Sequence, residues 1–284
     1  MSDDPFCLTS PEDSRRARDP FRVRGPAIIN VSGGRTSAYL LRRVLDVNGG
    51  LPKDVHAVFA NTGKELPETY RFLSQCADAW SVPIVWIQRD PKAGSRFRVV
   101  DSATAARNSE PFDQLITEKK FLPNGVMRFC TQELKIVPAR DYMRAQGYEE
   151  WVSVVGLRAD EMRRVSRVRD REHDEWTVAC PLADAGVTKA DVDEFWRAQP
   201  FNLRLRPWES NCAGCYLRSS STLERVERDR PGTLDWWIEW ERRMGATFEK
   251  RRSMAEIKRR AQLPLLSIDI DIDDDYGLPC NCTD

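Results

Sequence analysis

Two groups of residues in this chain have the types and the spacing to do chemistry. The first is Ser32-Gly33-Gly34-Arg35-Thr36-Ser37, which follows the apolar run 27–31 and leads into a helical pattern over 37–45. Glycines let a backbone approach an anion, and the helix start behind them adds partial positive charge. The hydroxyls of Ser32, Thr36 and Ser37 add donors, while Arg35 either adds charge or is simply solvated. The spacing is not Gly-x-x-x-x-Gly-Lys-Ser/Thr, so this is no Walker-type loop. It is not Gly-x-Gly-x-x-Gly either, which disfavours a dinucleotide. A tight strand-to-helix turn with a serine cap is the plain alternative. The second group is thiols: Cys130, then Cys212-Ala213-Gly214-Cys215, then Cys280-Asn281-Cys282. A C-x-x-C pair brings two sulfurs to one ion or cluster. An iron–sulfur cluster, a structural zinc ion and unmetallated thiols all remain open. Cys7, Cys76 and Cys180 read as lone thiols, with Cys76 in a core.

The elements that must position these groups follow from the apolar pattern. Short runs at 27–31, 55–60, 83–87 and 151–156 read as buried strands, and 67–80 reads as a helix opened by Pro67. Strand–helix alternation implies βαβ units and a parallel sheet. Residues 188–198 and 222–262 read as helical. Residues 1–24 form an irregular arm, 25–205 a nucleotide-binding domain, and 206–284 a helical C-terminal region ending in an acidic Cys-x-Cys tail. Among 284 residues, 44 Lys+Arg balance 44 Asp+Glu. A strongly basic nucleic-acid binder is thereby excluded overall, although a local basic face is not. Arg-rich stretches at 163–171, 225–230 and 242–260 are candidates for such a face. Trp236 and Trp240, at helical spacing, read as core. No apolar run is long enough for a bilayer and no secretory signal is present, so a cytoplasmic protein with no membrane partner is expected.

Four segments in order carry a resemblance. Val31-Ser32-Gly33-Gly34-Arg35-Thr36-Ser37 resembles the PP-loop of N-type ATP pyrophosphatases. Residues 59–69, Phe-Ala-Asn-Thr-Gly-Lys-Glu-Leu-Pro-Glu-Thr, Arg128-Phe129-Cys130-Thr131-Gln132-Glu133-Leu134-Lys135 and Gly156-Leu157-Arg158-Ala159-Asp160-Glu161 extend it. Together they are similar to the phosphoadenosine phosphosulfate (PAPS) reductase family, within the adenine nucleotide alpha hydrolase-like superfamily. The resemblance spans roughly 26–218. It implies an α/β fold with a doubly wound, mainly parallel sheet that binds its nucleotide at the carboxyl ends of the strands, here followed by a helical, cysteine-containing extension.

The resemblance also implies roles. Lys135, Arg158 and Arg163 become the phosphate or substrate clamps, with Asn61, Thr62, Gly63 and Gly156 bordering the nucleotide. Glu65 is expected either at ribose or metal, or as a helix-start carboxylate. ATP with Mg²⁺ is the implied substrate pair, cleaved between the α and β phosphates to adenylate an acceptor. Cys130, Cys212 and Cys215 match cluster-ligand positions of the family, with Cys280 or Cys282 available as a fourth; Thr131 stands where cluster-bearing reductases have a second cysteine. This favours a [4Fe–4S] cluster over Zn²⁺. Sulfur transfer to an acceptor follows, with a nucleic-acid acceptor and a sulfur donor such as a cysteine desulfurase as partners. The alternatives are reduction of an adenylyl sulfate to sulfite and a non-catalytic nucleotide-binding protein. The ending lacks the reductases' Glu-Cys-Gly-Leu-His, which counts against reduction.

Overall fold

The computed structural model describes residues 19–250 and 252–263. Cys7, Cys280, Cys282 and the acidic tail lie outside them. Six strands form one sheet in the order β4-β3-β2-β1-β5-β6. The strands are β1 (Ala27–Asn30), β2 (Val55–Asn61), β3 (Ile84–Arg89), β4 (Phe97–Val100), β5 (Trp151–Val154) and β6 (Trp176–Ala179). All neighbours run parallel except β4, which pairs antiparallel with β3 at one edge.

The sequence places β1 at the centre because Ala27, Ile28 and Ile29 are apolar on both faces and fully buried. Helices α1 (Arg35–Asn48), α2 (Pro67–Trp80) and α7 (Lys189–Arg197) cover one face. Leu40, Leu41, Phe72, Leu73 and Trp196 pack there against Ile29, Ala57 and Phe59. Helices α3 (Glu110–Lys119) and α4 (Val137–Ala145) follow β4, and Tyr142 and Met143 of α4 pack on Ile28, Val58 and Ile87 of the other face. Just before α4, a single turn (Phe129–Thr131) and a π-turn (Gln132–Ile136) carry Cys130 and Lys135. Helix α5 (Met162–Arg169) returns the chain from the end of β5 to the start of β6, and the short α6 (Pro181–Asp184) follows β6.

From β1 the chain moves to β2 on one side, and β5 fills the other side of β1 later. Strand order reverses there, and in open α/β sheets that crevice, at the carboxyl ends, is where ligands bind. The loop 32–37 sits at this reversal.

Two expectations are corrected. The region 222–262 is not one helical stretch but α8 (Ser220–Asp229), α9 (Asp235–Met244) and α10 (Met254–Ala261), broken at Pro231-Gly232 and Gly245. The strand expected over 151–156 ends at Val154, since Val155 to Arg158 turn toward the loop. The arm's last residues are irregular yet packed, with Phe21 only 1% exposed. Cys76, Trp237 and Trp240 are buried as core, and Trp236 packs against the same cluster partly buried.

Candidate nucleotide site and cysteine cluster

The loop 32–37 is folded by its own hydroxyls. Ser37 Oγ accepts from the Ser32 N–H at 3.0 Å, donates to the Gly34 carbonyl at 3.1 Å, and lies 2.9 Å from Ser32 Oγ. Gly33 has φ +82°, and a Cβ there would stand 2.4 Å from Thr69 Cγ2. Gly156 approaches from β5, where a Cβ would meet the Ser37 Cα at 3.2 Å. Gly156 is thus needed for close approach, and Gly33 for both close approach and its positive φ. Gly34 begins α1 without a side-chain cap, and no acid occupies the first turn. The helix-start N–H groups are therefore left for an anion.

Two of the expected charged contacts point inward instead. Arg35 donates to Asn202 Oδ1 and the Leu203 carbonyl, both at 2.8 Å. It fastens the loop to the segment after α7. Arg158 is buried, bonded to Asp160 Oδ1 at 2.9 Å and 3.4 Å from Glu161 Oε2. Its Nη1 donates to Thr36 Oγ1 at 3.0 Å, so it orients the first turn of α1.

The segment 61–65 is also internal. Asn61, wholly buried, donates to Gln88 Oε1 and the Ala106 carbonyl and accepts from Tyr70 and the Gly63 N–H. Glu65 accepts from the Thr62 N–H and hydroxyl, the Lys64 N–H and the Tyr70 hydroxyl. Its carboxylate closes this turn, a role beyond both of those expected for it. Burial, reinforced by Glu65, pushes the Tyr70 phenol well above its ordinary pKa.

Beside the loop a cavity of about 650 Å³ runs along the sheet face under α4 and α5. That volume suits a nucleotide-sized ligand. Its floor is one face of alternating strand residues: Ile28 and Asn30, Val58 and Ala60, Trp151 and Ser153, Trp176 and Val178. Ser32, Ser37 and Gly156 close one end. Six cations line it, Arg128, Lys135, Arg140, Arg164, Arg167 and Arg171, and the described lining holds no Asp or Glu. In a chain of zero net charge, that is a concentrated anion site. Lys135, expected as a clamp, is among the lining residues. Arg163 is exposed and is not part of the lining; Arg164, one residue on and ion-paired with Glu161, takes that place. Arginine density at 163–171 was visible in the sequence, but not which helix phase faces inward.

The thiols form a separate cluster. Cys215 is buried, and Cys130 and Cys212 pack partly buried against the same apolar group. Cys130 Sγ lies 3.6 Å from the Tyr216 hydroxyl. Cys212 is bridged to Glu65: the Ala213 N–H donates to the Lys64 carbonyl at 2.8 Å, and the Leu66 N–H to the Asn211 carbonyl at 3.1 Å. The Asn211 amide in turn donates to the Ser32 carbonyl at 2.9 Å, joining thiol segment and loop. Burial lowers the Lys64 pKa, opposed by the nearby Cys212, Asp113 and Glu65. Soft donors on a C-x-x-C turn in apolar surroundings suit an iron–sulfur cluster or zinc. Among the described residues, no three Cys, His, Asp or Glu are assembled as a metal-binding group. No helix of the described residues is long and apolar enough to cross a membrane.

Residues 26–203 match the phosphoadenosine phosphosulfate reductase domain. An uncharacterized nin region protein, ORF290, of Escherichia phage lambda is 31% identical over 216 residues, covering 72% of this chain and 70% of the phage protein. Among solved structures, phosphoadenylyl-sulfate reductase from Candida auris, in a phosphate complex, is 19% identical with a TM-score of 0.41, over 69% of this chain and 83% of that one. The U34-tRNA thiolase NcsA from Methanococcus maripaludis, with its [4Fe-4S] cluster, is 13% identical with a TM-score of 0.44, over 96% and 85%. With the domain match covering most of the chain and the phage relative alongside it, this protein belongs to the phosphoadenosine phosphosulfate reductase domain family.

Proposed function

We propose that this chain is an ATP pyrophosphatase that adenylates an acceptor in preparation for sulfur transfer. One observation carries the reading: an uncapped helix start, free of acids, opens beside a cavity whose described lining holds Lys135 and no carboxylate. The helix-start N–H groups and the hydroxyl of Ser32 hold the β and γ phosphates, with Ser37 fixing the loop behind them. Lys135 offsets charge that builds on the α phosphate as it is attacked. An acceptor oxygen forms the new bond to the α phosphorus. The bond to the α–β bridging oxygen breaks, pyrophosphate leaves, and the acceptor's proton passes to water. Arg158 is a positioning residue that acts through Thr36. Mg²⁺ enters as the companion of ATP, since the described cavity offers it no carboxylate.

Cys130, Cys212 and Cys215 would hold an iron–sulfur cluster, with zinc as the alternative. A cluster bound there would supply sulfur ligation and electron exchange. A sulfur donor of the cysteine desulfurase class completes the reaction.

Purified under anaerobic conditions and given Mg²⁺, ATP and acceptor, the protein should release pyrophosphate. Ser32→Ala and Lys135→Ala should each slow release by about 100-fold. Sulfite release from an adenylyl sulfate without ATP turnover would replace this reading with reduction. Tight ATP binding with no turnover of either substrate would leave a nucleotide-binding protein. Iron, sulfide and zinc analysis of the wild type and of Cys212→Ser identifies the metal.

A further inference from the structure

The cavity extends from the loop to the opposite end of the strands, where Trp151 and Trp176 line it. Ala27 is in register with Val152, and Val152 with Thr177. Trp176 therefore lies six residues behind Ser32 in register, about 20 Å along the sheet at ~3.3 Å per residue. A nucleotide whose phosphates occupy the loop cannot place its own base that far away.

What stands at the far end is an aromatic stack. Trp151 lies on Trp176 with ring centroids 5.6 Å apart and planes 17° apart. His173 continues the stack at 4.1 Å and 21°. His173 and Trp176 are half-buried, and both line the cavity. Burial, then the Arg171 charge, lowers the His173 pKa, which leaves a neutral ring at neutral pH.

Between loop and stack runs α5. Arg164, Arg167 and Arg171 recur at helical spacing along its cavity side and just past its end, spanning about 10 Å at ~1.5 Å per residue. Arg167 and Arg171 are exposed and have no ion-pair partner among the described residues. Arg169, which does not line the cavity, is instead paired with Asp184 at 2.7 Å. Along α5, Arg164 is paired with Glu161 at the loop end, whereas Arg167 and Arg171 toward the aromatic stack are the pair left for a ligand.

We infer that this track binds a single-stranded nucleic acid, with one base continuing the His173–Trp176 stack and the backbone phosphates on Arg167 and Arg171. The strand then leads along α5 to the loop. The inference rests on the adenylation reading only in calling that strand the acceptor. Stacking tolerates any base and the arginines read only phosphate, so binding should be sequence-tolerant and salt-dependent.

The test is fluorescence anisotropy of the full chain with a labelled mixed-sequence strand of about 12 nucleotides, as DNA and as RNA. MgATP affinity is measured in parallel by calorimetry. The Arg167→Glu/Arg171→Glu double variant should weaken strand binding about 10-fold or more and reduce the salt slope by about 1 to 1.5. His173→Ala should weaken it about 3-fold, and MgATP affinity should stay within about 2-fold in both. Unchanged strand affinity, tighter binding of a duplex, or a parallel loss of MgATP affinity would each overturn the track. Parallel loss would instead put the nucleotide's own base on the stack. If the wild type binds the strand through these arginines but does not turn over ATP, the adenylation reading falls and the track stands.

Discussion

The loop 32–37 and the thiol segment 212–215 are held in different proportions: besides its distant partners Asn202, Arg158 and Asn211, the loop has a set of bonds among its own residues. Ser32, Gly34 and Ser37 hold one another across at most five residues, and Thr62 and Glu65 close their turn across three. The thiol segment depends on distant partners. The Trp237 indole donates to the Ala213 carbonyl at 3.0 Å, and Trp236 and Trp240 both donate to Asp113 Oδ1 at 2.8 and 2.7 Å. Arg230 of the C-terminal region reaches back to Glu68 at 2.9 Å. A loop built from near neighbours keeps its shape while the strand and helix beside it persist. A segment assembled by docking keeps its shape only while the docked helices stay in place.

Perturbing each side separately breaks the comparison if it is wrong. Gly33→Ala should have the largest effect, because the new methyl meets Thr69 in a backbone conformation that disfavours it. We expect a loss of about 3 kcal/mol in denaturant unfolding and no measurable ATP binding. Asp113→Leu should cost about 2 kcal/mol, because it strips two indoles of their common acceptor. Its effect should be regional: hydrogen exchange should quicken across α8, α9 and α10 before it does across β1 and β2. Uniform quickening would mean that the two regions unfold as one unit.

The smallest expected effect is a pH dependence that belongs to neither region. The chain has two histidines, and burial lowers the pKa of both His56 and His173. The unfolded chain then takes up protons first, so acid favours unfolding. Stability should be level above about pH 6.5 and fall below it, until the lowered folded values are reached. Melting temperature should drop by a few degrees over that window, and less in His56→Gln. A rise in melting temperature on acidification would contradict the assignment.

How much of this was legible in the sequence follows the same division. β1, α1, β2, α2 and β3 announced themselves, because a strand buried on both faces is a run of apolar residues. β4 did not: Phe97 and Val100 are buried, but Arg98 and Val99 face outward at a sheet edge, leaving no run. β6 was missed for the same reason, and it carries Trp176. Lys135, expected as a clamp from its motif, lines the same cavity as Ser32 and Ser37. Arg158 was found, yet its burial was invisible, since the pairing with Asp160 and Glu161 depends on a turn the sequence does not display. Arg163 is exposed while Arg164 lines the cavity, because one residue along a helix turns the side chain by about 100° and the sequence does not display which phase faces inward. Asn211 carried no signal, as nothing in a linear chain places it against Ser32.

That last contact has a thermodynamic corollary. One amide joins the backbone of the phosphate loop to the residue before the C-x-x-C turn. Coupling of this kind is mutual: if filling the loop steadies the thiols, then loading the thiols must raise affinity at the loop by the same factor. The two ends of the reaction would then report on each other's occupancy with no moving part beyond a single side chain.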